Sequence, residues 1–147
     1  MELRPLGRSG LWVGRLGLGT MTWGRGTDEY EARDQLAAFL DAGGTLLDTA
    51  DVYCDGASEA MLGELVEEFE VRDQVVLATK AVSVPGPERR FNASRVHLLR
   101  SLETSLRRLR TDTIDLWQLH AWDPWTPMDE TLAAVDDAVA SGKVRYV

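Results

Sequence analysis

Hydrophobic and polar positions along this chain fall into blocks whose period changes from about two to about 3.6 residues and back. Glu2 to Val13 reads as a β-hairpin turning through Gly7-Arg8-Ser9-Gly10. The apolar run Leu16-Gly17-Leu18-Gly19-Thr20-Met21 predicts a buried strand with little side-chain bulk. From Asp28 the period lengthens, and Ala32, Leu36, Phe39 and Leu40 share one helical face. Asp28 and Glu31 have the spacing of a capping box, and Gly43-Gly44 predict the stop. A short strand over Thr45-Leu46-Leu47-Asp48 and a helix from Ser58 to Phe69, with Met61, Leu65 and Phe69 inward, come next. Val75-Val76-Leu77-Ala78-Thr79 is a continuous apolar strand, as expected when both faces are covered. A Pro/Gly loop follows at Val84-Pro85-Gly86-Pro87. A third helix is predicted from Asn92 to Leu109, with Val96, Leu99, Leu102, Leu106 and Leu109 inward. A strand over Thr113 to Leu119 leads into a loop, His120 to Trp125. The last helix carries Thr126 as expected N-cap, Pro127 at its first position, Asp129 completing an acidic capping box and Gly142 as C-cap. Val144 to Val147 begins another strand.

The order is therefore a hairpin, four strand–helix units and the start of a fifth strand. Such alternation implies an α/β fold with parallel strands joined by right-handed crossovers. A flavodoxin-like open sheet and the first half of an eight-stranded (β/α)8 barrel both fit. The ending on a short apolar strand favours the barrel. Residues 1–147 then form the N-terminal half of one barrel domain. In a half-barrel the inner-facing side chains, expected to be Leu16, Leu46, Val76, Leu77, Leu116 and Trp117, lose their opposing layer. Exposing ~400 Å2 of apolar surface costs on the order of 10 kcal/mol, so a second half or a second copy is expected to close the sheet.

Composition narrows the partners. The chain is 44% hydrophobic and 27% charged, an ordinary soluble globular profile. Its 16 basic and 24 acidic residues give a net charge of −8. That argues against nucleic acid or an anionic membrane as main partner, while leaving room for a nucleotide cofactor. One cysteine, Cys54, excludes an internal disulfide and a Cys-based zinc knuckle and fits a reducing, cytoplasmic setting. MELRPLGRSG lacks the apolar run of a signal peptide, and no stretch approaches ~18 apolar residues. No metal is called for.

Candidate chemistry gathers where strands end. Asp48 closes the second strand, Tyr53 lies in the loop after it, Lys80 ends the third and His120 the fourth. In a βα barrel those ends share the active-site face. Singly, each has a structural alternative: a turn cap, a loop aromatic, a solvated strand end, a rim histidine. Lysine usage tips the balance. Fourteen of the 16 basic residues are arginine, and Lys80 is one of two lysines, flanked by Ala78 and Thr79. An ammonium beside a phenol favours the phenolate, and Asp48 can hold that ammonium in place. Tyr53 is then a general acid for a carbonyl oxygen that His120 orients, and a nicotinamide must supply hydride. Other residues read as structural: His97, the Cys54 thiol, and the Arg100, Arg107, Arg108 and Arg110 cluster as a solvated helix face.

The segments RPLGRSGLWVGRLGLGTMTWG, GGTLLDTADVYCDGASEAMLGE, VVLATK, SLETSLRRLRTDTIDLWQLHAWDP and SGKVRYV resemble the aldo-keto reductases. The nearest branch is that of bacterial aryl-alcohol dehydrogenases, general stress proteins and potassium-channel β subunits. The resemblance spans essentially the whole chain. It implies an NADPH-dependent (NADH not excluded) reductase of small carbonyl compounds on a (β/α)8 barrel. It also implies a catalytic tetrad on Asp48, Tyr53, Lys80 and His120. Gly19, Thr20, Met21 and Asp48 would lie near the nicotinamide, with Trp23, Trp122 and His120 bordering the substrate. A partner-binding module of the β-subunit kind, or a non-catalytic barrel fragment, is the alternative. The family's second half, with its phosphate-gripping loops, has no counterpart here.

Overall fold

The computed structural model describes residues 1–86 and 89–147; the expected Pro/Gly loop runs on to Pro87, which lies outside the described residues. Strands β1 (Leu3–Pro5) and β2 (Trp12–Gly14) pair antiparallel, with Leu3 opposite Gly14. The Leu6 N–H donates to the Leu11 carbonyl across the turn (2.7 Å), as the Gly7-to-Gly10 reading requires. The Gly14 N–H donates to Thr45 Oγ1 (3.0 Å), tying this hairpin to the main sheet.

The rest of the chain alternates as β3 (Gly17–Gly19), α1 (Glu29–Asp41), β4 (Leu46–Asp48), α2 (Ala57–Glu68), β5 (Val76–Ala81), α3 (Arg95–Arg108), β6 (Ile114–Leu119), α4 (Met128–Ala140) and β7 (Val144–Tyr146). All five strands are parallel and lie in chain order, β3-β4-β5-β6-β7. A doubly wound sheet would reverse its direction of growth at a switch point. Here every unit adds to the same edge, so the sheet is an arc of a barrel with β3 and β7 as its edges. Among the described residues, no helix is long and apolar enough to cross a membrane.

Local signals explain most elements. The Asp28 carboxylate accepts from the Glu31 N–H (2.9 Å) and Glu31 answers to the Asp28 N–H (3.2 Å), the capping box read from spacing. At α4 the expected cap is replaced. Pro127 is the N-cap, and the Thr126 hydroxyl instead donates to Asp123 (2.6 Å) and accepts from Arg89 (3.1 Å), so its oxygen faces away from the helix. The buried face of α2 centres on Leu62, Leu65 and Val66, with Met61 and Phe69 at its margin. On α3 the stripe is Leu98, Leu102, Leu106 and Leu109, while Val96 points to solvent.

The core lies between the sheet and the helices and includes Leu36, Leu47, Leu62, Leu77, Leu102 and Trp117. Leu77 and Trp117 are therefore not inner-facing, as expected from sequence; strand alternation turns them to the helix layer. Thr79, on the same face as Leu77, donates to the buried Glu59 of α2 (2.7 Å). The opposite face carries Leu46, Val76, Asp48 and Lys80, all only partly covered, and Leu16 is exposed.

Candidate active site

Three neighbouring strands deliver polar groups to one edge of the arc. Asp48 ends β4 beside Ala78, and Lys80 sits one residue before the end of β5, beside Gln118 of β6. His120 follows β6 directly, its N–H donating to the Ala81 carbonyl (2.9 Å). Parallel pairing in register thus brings residues 48, 80 and 120 to the carboxyl ends of adjacent strands, where barrels place their chemistry.

Lys80 is the hub. Its Nζ donates to Asp48 Oδ2 (2.7 Å) and to the Thr49 carbonyl (2.7 Å), and lies 3.5 Å from the Tyr53 hydroxyl. The Lys80 side chain is 12% exposed, and 5.0 Å separates its Nζ from the centre of the Tyr53 ring. Tyr53 and His120 meet edge to face, with ring centres 5.7 Å apart at 78°. Burial lowers the His120 pKa, and the Lys80 charge lowers it further against a smaller opposing effect of Asp48. The imidazole is therefore neutral at pH 7, and among the described residues its buried Nδ1 has no partner. All four expected residues come together.

The turn carrying Tyr53 is strained and braced. Cys54 and Asp55 have φ of 50° and 58°, and Gly56 follows at 92°, a run that ordinary side chains disfavour. Arg108 of α3 holds it down, donating to the Asp51 carbonyl (2.9 Å) and pairing with Glu59 (3.2 Å). That corrects the reading of Arg108 as a solvated charge; its neighbour Arg110 fits that reading, pairing with Glu64 and Glu67.

The remaining expected residues divide. Gly19 lies open beside Asp48: a Cβ there would meet nothing within 4 Å. Met21 is exposed near the turn, its carbonyl 3.4 Å from Cys54 Sγ. Thr20 is fully buried, its hydroxyl joined to Ser58 (2.7 Å), so its side chain serves packing. Trp23, expected at the substrate border, is instead fully buried in the core, its indole N–H donating to Gln35 of α1 (2.9 Å). Trp122 stands exposed in the loop after His120.

Two supports escaped the sequence reading. The Thr49 carbonyl anchors Lys80, which no side-chain pattern announces. Asp123, buried three residues after His120, accepts from the Ala93 N–H (2.8 Å), the Trp125 N–H (3.0 Å), Thr126 and Arg89 (2.9 Å). It pins the His120–Trp122 loop to the segment before α3. The Asp123-Pro124 pair is a turn signal that could have pointed to it.

With this geometry in view, likeness to known proteins becomes informative. Residues 15–147 match the model of the aldo/keto reductase family. The chain is 39% identical over its whole length to aldo-keto reductase YhdN of Bacillus subtilis, covering 46% of that protein. It is 36% identical, over 94% of its length, to an aryl-alcohol dehydrogenase [NADP(+)] of Phanerodontia chrysosporium, covering 40% of it. Its fold superimposes on the holo form of aldo-keto reductase AKR11C1 from Bacillus halodurans with a TM-score of 0.88 and 38% identity, covering 99% of this chain and 49% of that one. The chain spans about half the length of the relatives it matches. Family model, identities and superimposed half-barrel agree, and the chain belongs to the aldo/keto reductase family.

Proposed function

We propose that residues 1–147 supply the N-terminal half of a barrel domain that reduces a small carbonyl compound (aldehyde, ketone or sugar-like) to an alcohol. NADPH is the proposed cofactor, with NADH as alternative. The observation that carries this reading is Lys80 Nζ, held by Asp48 and lying 3.5 Å from the hydroxyl of Tyr53, whose ring meets His120 edge to face.

The residues present suit a nicotinamide and a carbonyl. Open space at Gly19, next to Asp48, leaves room for a planar ring, with Met21 at its side. The His120 imidazole and the Tyr53 hydroxyl, edge to face with ring centres 5.7 Å apart, offer the polar pair that an oxygen gaining negative charge requires. When bound, the nicotinamide supplies the hydride.

The chain's own groups handle the proton. Tyr53 donates it to the oxygen that becomes the alcohol. Lys80 compensates the charge left on the phenol oxygen, and Asp48 with the Thr49 carbonyl keeps that ammonium in position. His120 fixes the direction of the carbonyl. Trp122 borders the substrate from its loop. The barrel closes on a second half or a second copy, and a cytoplasmic location accompanies an NADPH-linked role.

The test is Tyr53→Phe in the chain joined to a complementary half-barrel. Turnover is expected to fall by about 10^2 to 10^4, with cofactor affinity unchanged by fluorescence titration. Turnover equal to the parent would remove Tyr53 from the mechanism.

A further inference from the structure

A second concave site lies behind the turn that carries Tyr53, on its α3 side. A cavity of about 290 Å3 opens between the turn after β4, the segment after β5 and one face of α3. We propose that this cavity binds a small organic cation, a primary ammonium on a short apolar body, through the Asp51 carboxylate.

The argument starts from an orphaned acceptor. Asp51 lines the cavity, and its Oδ1 is buried and, among the described residues, has no hydrogen-bond partner. A buried carboxylate oxygen without a donor is costly. The obvious partner is engaged elsewhere: Arg108 gives its N–H groups to Glu59 (3.2 Å) and to the Asp51 main-chain carbonyl (2.9 Å). One guanidinium thus faces two carboxyl groups, Asp51 and Glu59, and the deep end is net negative once Asp51 is ionised.

The other charged groups leave that balance in place. Asp55 pairs with Arg25 (3.4 Å). Burial, then Arg89 and Arg100, lower the His97 pKa and keep it neutral at pH 7. Arg100, exposed on α3, also lines the cavity. Val52, Val84 and Pro85 line the apolar side, where the body of the ligand would rest. Ser101 lies against the Asp51 carboxyl and completes the polar end.

Burial, with the Glu59 charge, raises the Asp51 carboxyl to about 7, against smaller opposing effects of Ser101 and Arg108. A proton therefore competes with the ammonium, and affinity should rise about tenfold between pH 6 and 8 as the carboxyl ionises.

The experiment titrates benzylamine, benzyl alcohol and benzoate into the 15N-labelled chain, in whatever assembly it adopts, followed by amide shifts. Benzylamine is expected to saturate shifts at the cavity, about tenfold more tightly at pH 8 than at pH 6. Asp51→Asn should weaken it at least tenfold. Ser101→Leu, which fills the cavity from α3 without altering charge, should abolish it. Equal binding of benzyl alcohol or benzoate, or benzylamine binding that survives Ser101→Leu, overturns the proposal. Catalysis plays no part in the readout, so failure of the reductase reading leaves this test intact.

Discussion

Lys80 shows how one side chain can be fixed by two others and by the backbone. Its ammonium is held by a carboxylate and a carbonyl at 2.7 Å each, which leaves its third donor direction toward Tyr53. Lys80→Met should therefore remove turnover of the completed enzyme by at least about a hundredfold, read in the same assay as Tyr53→Phe, with fold retained by circular dichroism. Two buried carboxyls of opposite behaviour make the stability of the chain depend on pH. Asp51 is raised from 3.8 to about 7, so the folded state prefers its proton. Its contribution is full below about pH 4 and is lost as the pH rises through about 7. Urea midpoints at pH 5 and pH 8 should differ more in the parent than in Asp51→Asn. Burial pushes Asp123 up, but hydrogen bonds from Thr126, Ala93, Trp125 and Arg89 outweigh it and lower its pKa. Its contribution holds above pH 3.8 and fades as the pH falls. Asp123→Ala leaves four donors unanswered and should cost about 3 kcal/mol by denaturant unfolding at pH 7.

At the scale of elements, close approach decides which changes are tolerated. Gly63 on α2 lies against the end of α3, where a Cβ would fall 2.5 Å from the Arg108 carbonyl and 2.7 Å from Leu109 Cα. Backbone cannot swing aside as a side chain can, so Gly63→Ala should destabilise by about 2 kcal/mol. Gly26→Ala, with room around it, serves as control in thermal melts. Elements set by local signals were readable from sequence: the Asp28–Glu31 box, the Gly7-to-Gly10 turn, and the strand ends bearing Asp48, Lys80 and His120. What escaped depends on distant contacts. Thr126 has the residue type of a cap, but Asp123 claims its hydroxyl. Val96 and Leu98 are both apolar and two apart, and only the packing of α3 decides that Leu98 goes inward. Trp23 reads as a rim aromatic until α1 closes over it with Gln35. Arg108 looks like its exposed neighbours until Glu59, forty-nine residues earlier, turns it inward.

The whole molecule is an arc with two unpaired edge strands, β3 and β7, and an inner face on which Leu46 and Val76 are only partly covered. Open edges and uncovered apolar surface favour association. Sedimentation of the chain alone should give a multiple of 16.3 kDa. A cooperative melt from a 16.3 kDa monomer would contradict that expectation. The arc has a further consequence for how such barrels can be varied. Asp48, Tyr53, Lys80 and His120 come from three adjacent units of one half and are braced within it, by Thr49, Arg108 and Asp123. The group and its braces thus form one structural block. Second halves of different origin could be spliced at β7, so that recombination would exchange the opposing wall of the barrel while leaving the Lys80–Tyr53 contact and its supports untouched.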